Sequence, residues 1–291
     1  MVTTFHVLDP KNPGVVDEIL HLGDYWDLRA MSVHKEDVLR VNREVDRVFR
    51  RAYDYLAIAK KAMDIYETYI ADTRALDVIS LSREAEALVA DAVGDASRQR
   101  PAKPRHLFAS AISPDGPVNH LDTLLSGIRR KYLVTGRPGT GRTTLVKRVA
   151  DFAASRGFFV EYFHCGLDPV KIDHTIVPEL GFAVLNSSEP HVVMPEVGDV
   201  IVDTSAYVDE SALRRVRGEM DEAHEMYRTA LTTGMGFIAL AKRAHDEMET
   251  YYSPHMDFDA IARKRQEILE RVLELGSLKL RELKAGNGSG L

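Results

Sequence analysis

Apolar and aromatic residues recur at Val38, Val41, Val45, Val48, Phe49, Ala52, Leu56 and Ala59, mostly in steps of three and four. They lie within a stretch, residues 33–73, that contains neither proline nor glycine. Such spacing puts them on one face and predicts a long amphipathic helix. A shorter helical pattern covers residues 80–93, and the polar, turn-rich residues 94–104 read as a linker. The chain becomes helical again over residues 210–251, with Gly234 and Gly236 as weak points. Pro254 interrupts it, and a last helix is predicted for residues 258–284. The tail, residues 286–291, is Gly-rich linker-like sequence.

The middle of the chain has a different texture. Residues 131–135, 158–164 and 182–185 are short, apolar and β-prone, and helical patterns lie between them: Leu121, Leu124, Leu125 and Ile128 before the first, and a helix to about Arg156, stopped by Gly157, after it. Strands alternating with helices at this spacing predict an α/β fold with a parallel sheet and crossovers. Residues 106–112 open this segment, followed by turn residues at 114–117. One further strand is expected at residues 5–8 (Phe-His-Val-Leu), ending at Asp9-Pro10.

The helical ends repeat each other. Residues 56–69 (LAIAKKAMDIYETY) and 238–251 (IALAKRAHDEMETY) share eight of fourteen ungapped positions. These include Lys60/Lys242, Asp64/Asp246, Glu67/Glu249 and Tyr69/Tyr251. At the same offset of 182, Tyr25-Trp-Asp27 aligns with Tyr207-Val-Asp209, and earlier residues 5–9 align with 182–186 at an offset of 177. Residues 1–100 therefore correspond only to the later part of a second unit. The expected organisation is residues 1–104 as the remnant of a first repeat, one strand plus a helical hairpin, and residues 105–291 as a complete domain with a hairpin over about 206–285. A lone strand needs a sheet to join, so exposed apolar surface in residues 1–75 favours self-association or docking on the second unit.

Composition narrows the class without deciding the function. The 291 residues carry 45% hydrophobic and 28% charged residues and a formal net charge of −6, which fits a globular chain and does not indicate a general nucleic-acid binder. Cys165 is the single cysteine, excluding an internal disulfide and a Cys-rich zinc site. No apolar run approaches the ~20 residues of a membrane span, and the N-terminus lacks the pattern of a secretory signal. A reduced, cytoplasmic protein is expected.

The chemistry concentrates in Gly136, Arg137, Pro138, Gly139, Thr140, Gly141, Arg142, Thr143 and Thr144. This run fits the pattern G-x-x-x-x-G-K-[ST] with arginine in place of lysine. Glycines allow successive N–H groups to converge on a phosphate, and the following helix adds its N-terminus. Thr143 is the expected Mg²⁺ ligand. The run is preceded by an apolar strand and followed by a helix carrying Leu145, Val146 and Val149, a context far more specific than the bare pattern. Arg142 keeps the charge, but its planar head is larger than an ammonium, so slow hydrolysis is expected. The strand 182–185 ends in Asn186, where such proteins commonly place a magnesium-directing Asp. Asp168, Asp173 and Glu179 are the alternative acids. His164-Cys165, at a strand end, reads first as a buried thiol. Arg214, Arg215 and Arg217 read as a solvated helix face.

Together with residues 163–169 (Phe-His-Cys-Gly-Leu-Asp-Pro), 177–180 (Val-Pro-Glu-Leu) and Pro190-His191, this loop resembles an uncharacterised bacterial family of ATPase-like proteins, a tandem duplication in which each half carries a P-loop. The resemblance spans nearly the whole chain, beginning late in the first half. It implies a three-layer P-loop NTPase fold with long α-helical hairpin extensions, ATP (or GTP) binding and Mg²⁺. The family pattern has lysine at position 142 and commonly Asp at 186. Three readings stay open: an NTPase, a small-molecule or nucleotide kinase, and a non-catalytic nucleotide-dependent scaffold that assembles with itself through its helical hairpins.

Overall fold

The computed structural model describes residues 14–15, 18–99, 101–189 and 191–287. The strand expected at residues 5–8 lies outside them. The described chain divides into two compact units. One is Arg47–Lys242; the other comprises the flanking segments up to Asp46 and from Arg243 onward.

The first unit is built on a six-stranded, mostly parallel sheet. Its strands are β1 (Arg105–Phe108), β4 (Arg130–Thr135), β5 (Glu161–His164), β6 (Ile172–Val177), β7 (Phe182–Asn186) and β8 (Val200–Asp203), in the order β1-β5-β6-β7-β4-β8. β1 pairs parallel with β5, and β4 pairs parallel with both β7 and β8. The expected parallel sheet with crossovers is present except at one strand: β6 runs antiparallel to β5 and β7. The short links β5–β6 and β6–β7 leave no room for crossover helices, so these strands return as hairpins. A separate antiparallel hairpin, β2 (Ser110–Ser113) and β3 (Gly116–Asn119), occupies the segment where turn residues stand at 114–117.

Two helices cover one sheet face. α5 (Arg142–Ser155) buries Leu145, Val146, Val149, Ala150 and Ala153, and α3 (Val78–Ala92) buries Leu81, Ala85 and Leu88 into the same cluster. On the opposite face Leu133, Phe163, Ile176, Ala183 and Leu185 pack with Ala109 and Leu121. The helix expected around residues 121–128 is only the single turn α4 (Leu121–Leu124), with Gly127 at φ +83 soon after.

α2 (Lys35–Asp72) runs antiparallel along α7 (Arg217–Tyr252), and α3 packs on α5. α7 is preceded by the separate turn α6 (Glu210–Leu213), and it passes through Gly234 and Gly236 without a break. The crossing brings repeat-equivalent positions together. Tyr55 stacks on Phe237 with centroids 5.5 Å apart, and a Cβ on Gly234 would stand 3.1 Å from Leu56. Tyr66, Ile70, Leu213, Met220 and Ala223 extend the contact.

The second unit contains α1 (Leu28–Met31), the first part of α2, the last part of α7 and α8 (Phe258–Asn287). Trp26 lies 5.2 Å from Tyr252, His34 packs between Tyr251 and His255, and Arg40 donates to Glu247 at 2.7 Å. No described helix is long and apolar enough to cross a membrane.

Gly234→Leu overpacks the α2–α7 crossing and is expected to destabilise the protein by about 1–3 kcal/mol. Urea unfolding checks this: the midpoint falls, whereas Gly236→Leu, with open space at its Cβ, raises it by the gain in helix propensity.

Candidate functional site

β4 ends at Thr135, and the chain turns through residues 136–141 into α5. Gly136, Gly139 and Gly141 have φ of +131°, +82° and +88°. Two of these need glycine for space as well. A Cβ on Gly136 would collide with the Thr204 hydroxyl, and one on Gly141 with the Leu81 side chain. Thr140 is fully buried, its hydroxyl 2.6 Å from that of Thr204, which donates to the Thr135 carbonyl at 2.8 Å. The loop is therefore pinned to the start of the helical segment after β8. The first turn of α5 offers N–H groups without intrahelical acceptors and the positive end of its dipole.

The remaining loop side chains separate by role. Pro138, Arg142 and Thr143 line a cleft of about 170 Å³ beside the loop. Thr144 is exposed on α5. Arg137 is engaged by Glu210, as a loop-mouth arginine with an acidic neighbour should be. Across the cleft stand Lys60, Asp64 and Glu67 of α2, Tyr227 of α7, and Cys165, Asp168, Lys171 and Asp173 of the β5–β6 region.

The two departures noted in the sequence meet here. Arg142 Nη1 donates to Asn186 Oδ1 at 2.9 Å, Arg142 also contacts the Ser188 hydroxyl, and Asn186 Nδ2 donates to Asp173 Oδ1 at 3.2 Å. The guanidinium reaches the end of β7, where its Nη1 meets both oxygens. Burial lowers the Arg142 pKa below its ordinary value, and the charges of Asp173 and Glu67 oppose that shift.

Asp173 arrives by a β-bulge. Phe163 faces His174 and the next β5 residue, His164, faces Ile172, leaving Asp173 as the extra residue on β6. A bulge re-aims a side chain that the strand alternation would otherwise fix, and Asp173 is 5% exposed. Of the three acids noted in the sequence, Asp168 and Asp173 share the cleft, whereas Glu179 pairs with Arg98 at 3.4 Å outside it.

Ion pairs organise the α2 side. Lys171 Nζ lies 2.6 and 2.7 Å from the two Glu67 oxygens, and Lys60 Nζ lies 2.8 Å from Asp64 and 3.4 Å from Asp168. Sequence reasoning did not assign Lys60, Asp64 or Glu67 to a site, yet the repeat supplied the signal: all three are identical in its second copy. Burial, then Asp173, push the Cys165 thiol up to about 12, so it stays neutral.

Comparison with known proteins adds one partial match. The chain is similar to the UDP-N-acetylmuramate–L-alanine ligase of Gloeobacter violaceus. Identity is 28% over 206 residues, covering 60% of this chain and 42% of that protein. The chain thus spans less than half of that relative. No family model matches the chain, and no solved structure does.

Beneath the cleft, His174 is 1% exposed and neither ring nitrogen has a hydrogen-bond partner. Burial lowers its pKa from 6.5 to about 3. The folded protein therefore keeps His174 neutral while the unfolded chain protonates near 6.5. Its contribution to stability is complete above that pH and is lost as pH falls toward 3. The slope is up to about 1.4 kcal/mol per pH unit. In urea titrations between pH 4 and 7, His174→Phe is expected to flatten the acid limb by this one-proton slope.

Proposed function

We propose that the first unit binds a nucleoside triphosphate, ATP or GTP, with Mg²⁺ at residues 136–144, and hydrolyses it slowly or not at all. The observation that carries this reading is the loop itself. Three positive-φ glycines sit between a buried strand and a helix start, and open on a cleft that holds Arg142, Thr143 and a buried carboxylate. In the fold this corresponds to a three-layer P-loop domain.

The residues present fit the ligand's chemistry. Backbone amides at the start of α5 suit phosphate oxygens, the Thr143 hydroxyl is an oxygen donor suited to Mg²⁺, and Asp173 provides the anionic oxygen that Asn186 does not. Bound magnesium neutralises charge on the phosphates. Asn186 links Asp173 to Arg142 and so places the carboxylate one hydrogen bond behind the loop's basic residue. That arrangement supports nucleotide retention. It does not free a carboxylate to orient water, so turnover is slow.

A second reading rests on the cleft. Its α2 wall of Lys60, Asp64 and Glu67 lies beside the loop and suits a small polar acceptor. The related ligase is named for joining UDP-N-acetylmuramate to L-alanine, and an ATP-dependent transfer to a small acceptor fits that likeness. In this case nucleotide consumption requires the acceptor.

Calorimetric titration tests the main reading. MgATP or MgGTP is expected to bind, and Arg142→Ala to weaken binding at least tenfold. The double variant Arg142→Lys/Asn186→Asp is expected to raise phosphate release at least tenfold. Absence of heat with either nucleotide at millimolar concentration overturns the proposal.

A further inference from the structure

The cleft beside the loop has a further wall, formed by Ala111 and Ile112 of β2, Pro117 of β3, and Tyr227 and Leu231 of α7. That wall is largely apolar, and one polar pair stands beside it. His191 Nε2 lies 3.4 Å from the Ser110 hydroxyl, and both residues line the cleft. His191 is only 7% exposed, and its Nδ1 has no hydrogen-bond partner among the described residues. The His191 N–H donates to the Ser188 carbonyl at 2.6 Å, and the Ser188 hydroxyl donates to Asn186 Oδ1 at 3.0 Å. Arg142 contacts those same two side chains. One short segment therefore carries both the grip on Arg142 and the imidazole.

Charge narrows what this wall can hold. Five carboxylates and three cations line the cleft. The cations are all engaged: Lys60 by Asp64 and Asp168, Lys171 by Glu67, and Arg142 through Asn186 by Asp173. An anionic compound would meet the excess of carboxylates and find its cationic partners taken. An uncharged compound meets neither obstacle. Its apolar part fits the wall, and a hydroxyl on it fits the nitrogen that Ser110 now faces.

We propose that this part of the cleft holds a small uncharged alcohol with an apolar body, and that His191 takes its proton as the alcohol accepts a phosphoryl group from the nucleoside triphosphate. The inference narrows the acceptor of the second reading above and rests on that reading. The Ser110 hydroxyl stands in for the acceptor and shows that an O–H reaches Nε2. The alcohol oxygen attacks the γ-phosphorus. The bond from that phosphorus to the β–γ bridging oxygen breaks, and its electron pair leaves with the nucleoside diphosphate. The alcohol proton passes to Nε2, whose lone pair is free when Nδ1 carries the ring proton, and then to solvent. Burial lowers the His191 pKa, which keeps the ring neutral near neutral pH. Water has no apolar body for the wall to hold in place, so slow hydrolysis and transfer to an alcohol are compatible.

The test uses the full chain with benzyl alcohol, phenylethanol and cyclohexylmethanol as probes, and benzoate as the anionic control. Without nucleotide, the alcohols are expected to displace the Ser110 contact and shift the His191 ring nitrogen resonances in NMR spectra, whereas benzoate leaves them in place. With MgATP, the alcohols are expected to raise ADP formation about tenfold or more, with one phosphate monoester per ADP by mass spectrometry. His191→Gln is expected to lower ester formation about a hundredfold or more, mainly through kcat. Ester formation undiminished in that variant overturns the inference, as does phosphate found on Ser110 instead of the alcohol. Binding of MgATP with no alcohol-induced shift, or with a shift and no ester, also overturns it and leaves the nucleotide reading standing. A shift with the alcohols but no heat from MgATP or MgGTP supports the alcohol pocket and overturns the nucleotide reading.

Discussion

A half-buried arginine has to be neutralised, and that requirement shapes the site. Arg142 stands at the start of α5, where a long cationic side chain has few directions to take. It reaches the end of β7, and Asn186 hands the interaction on to Asp173. An Asp at 186 would pair with the guanidinium directly and hold it still more firmly. The neutral amide instead satisfies both neighbours at once, accepting from Arg142 and donating to Asp173, at the lower desolvation cost of an uncharged group. The bulge on β6 is what brings that carboxylate within reach.

The parts of this arrangement legible in the sequence are those encoded locally. β4, the loop and α5 stand out because an apolar run, spaced glycines and a helical stripe are contiguous. β6 does not stand out. Its Ile-Asp-His-Thr-Ile-Val is buried throughout, yet three polar residues in succession give neither alternation nor an apolar run. β8 has only four residues and one fully buried side chain, Val202. Asp173 could not be sorted from Asp168 and Glu179, because a bulge is a relation between two strands and leaves no mark in either one alone.

Helix partners were hidden for a related reason. The apolar stripe of α2 states that one face is covered and does not name what covers it. A hairpin with the next helix is the simplest topology, but α3 carries a shorter apolar face that fits α5, and α2 is left to α7. The repeat itself carried the missing information. Tyr55 and Phe237 are equivalent residues that stack on each other, as happens near the axis of a self-complementary contact.

The eight identities between the repeated helices divide by cause. Ala59, Ala62 and Ala241 are at most 1% exposed, and close helix packing accounts for small residues there. Packing does not account for Lys60, Asp64 and Glu67. A helix face can be kept soluble by many charge patterns, so identical charged residues in two copies imply a requirement for particular groups. In the first unit that requirement is visible, since these three side chains form the wall of the cleft beside the loop. In the second copy Glu249 lies 3.3 Å from His245 Nδ1, so the carboxylate at this position again meets a neighbouring polar side chain.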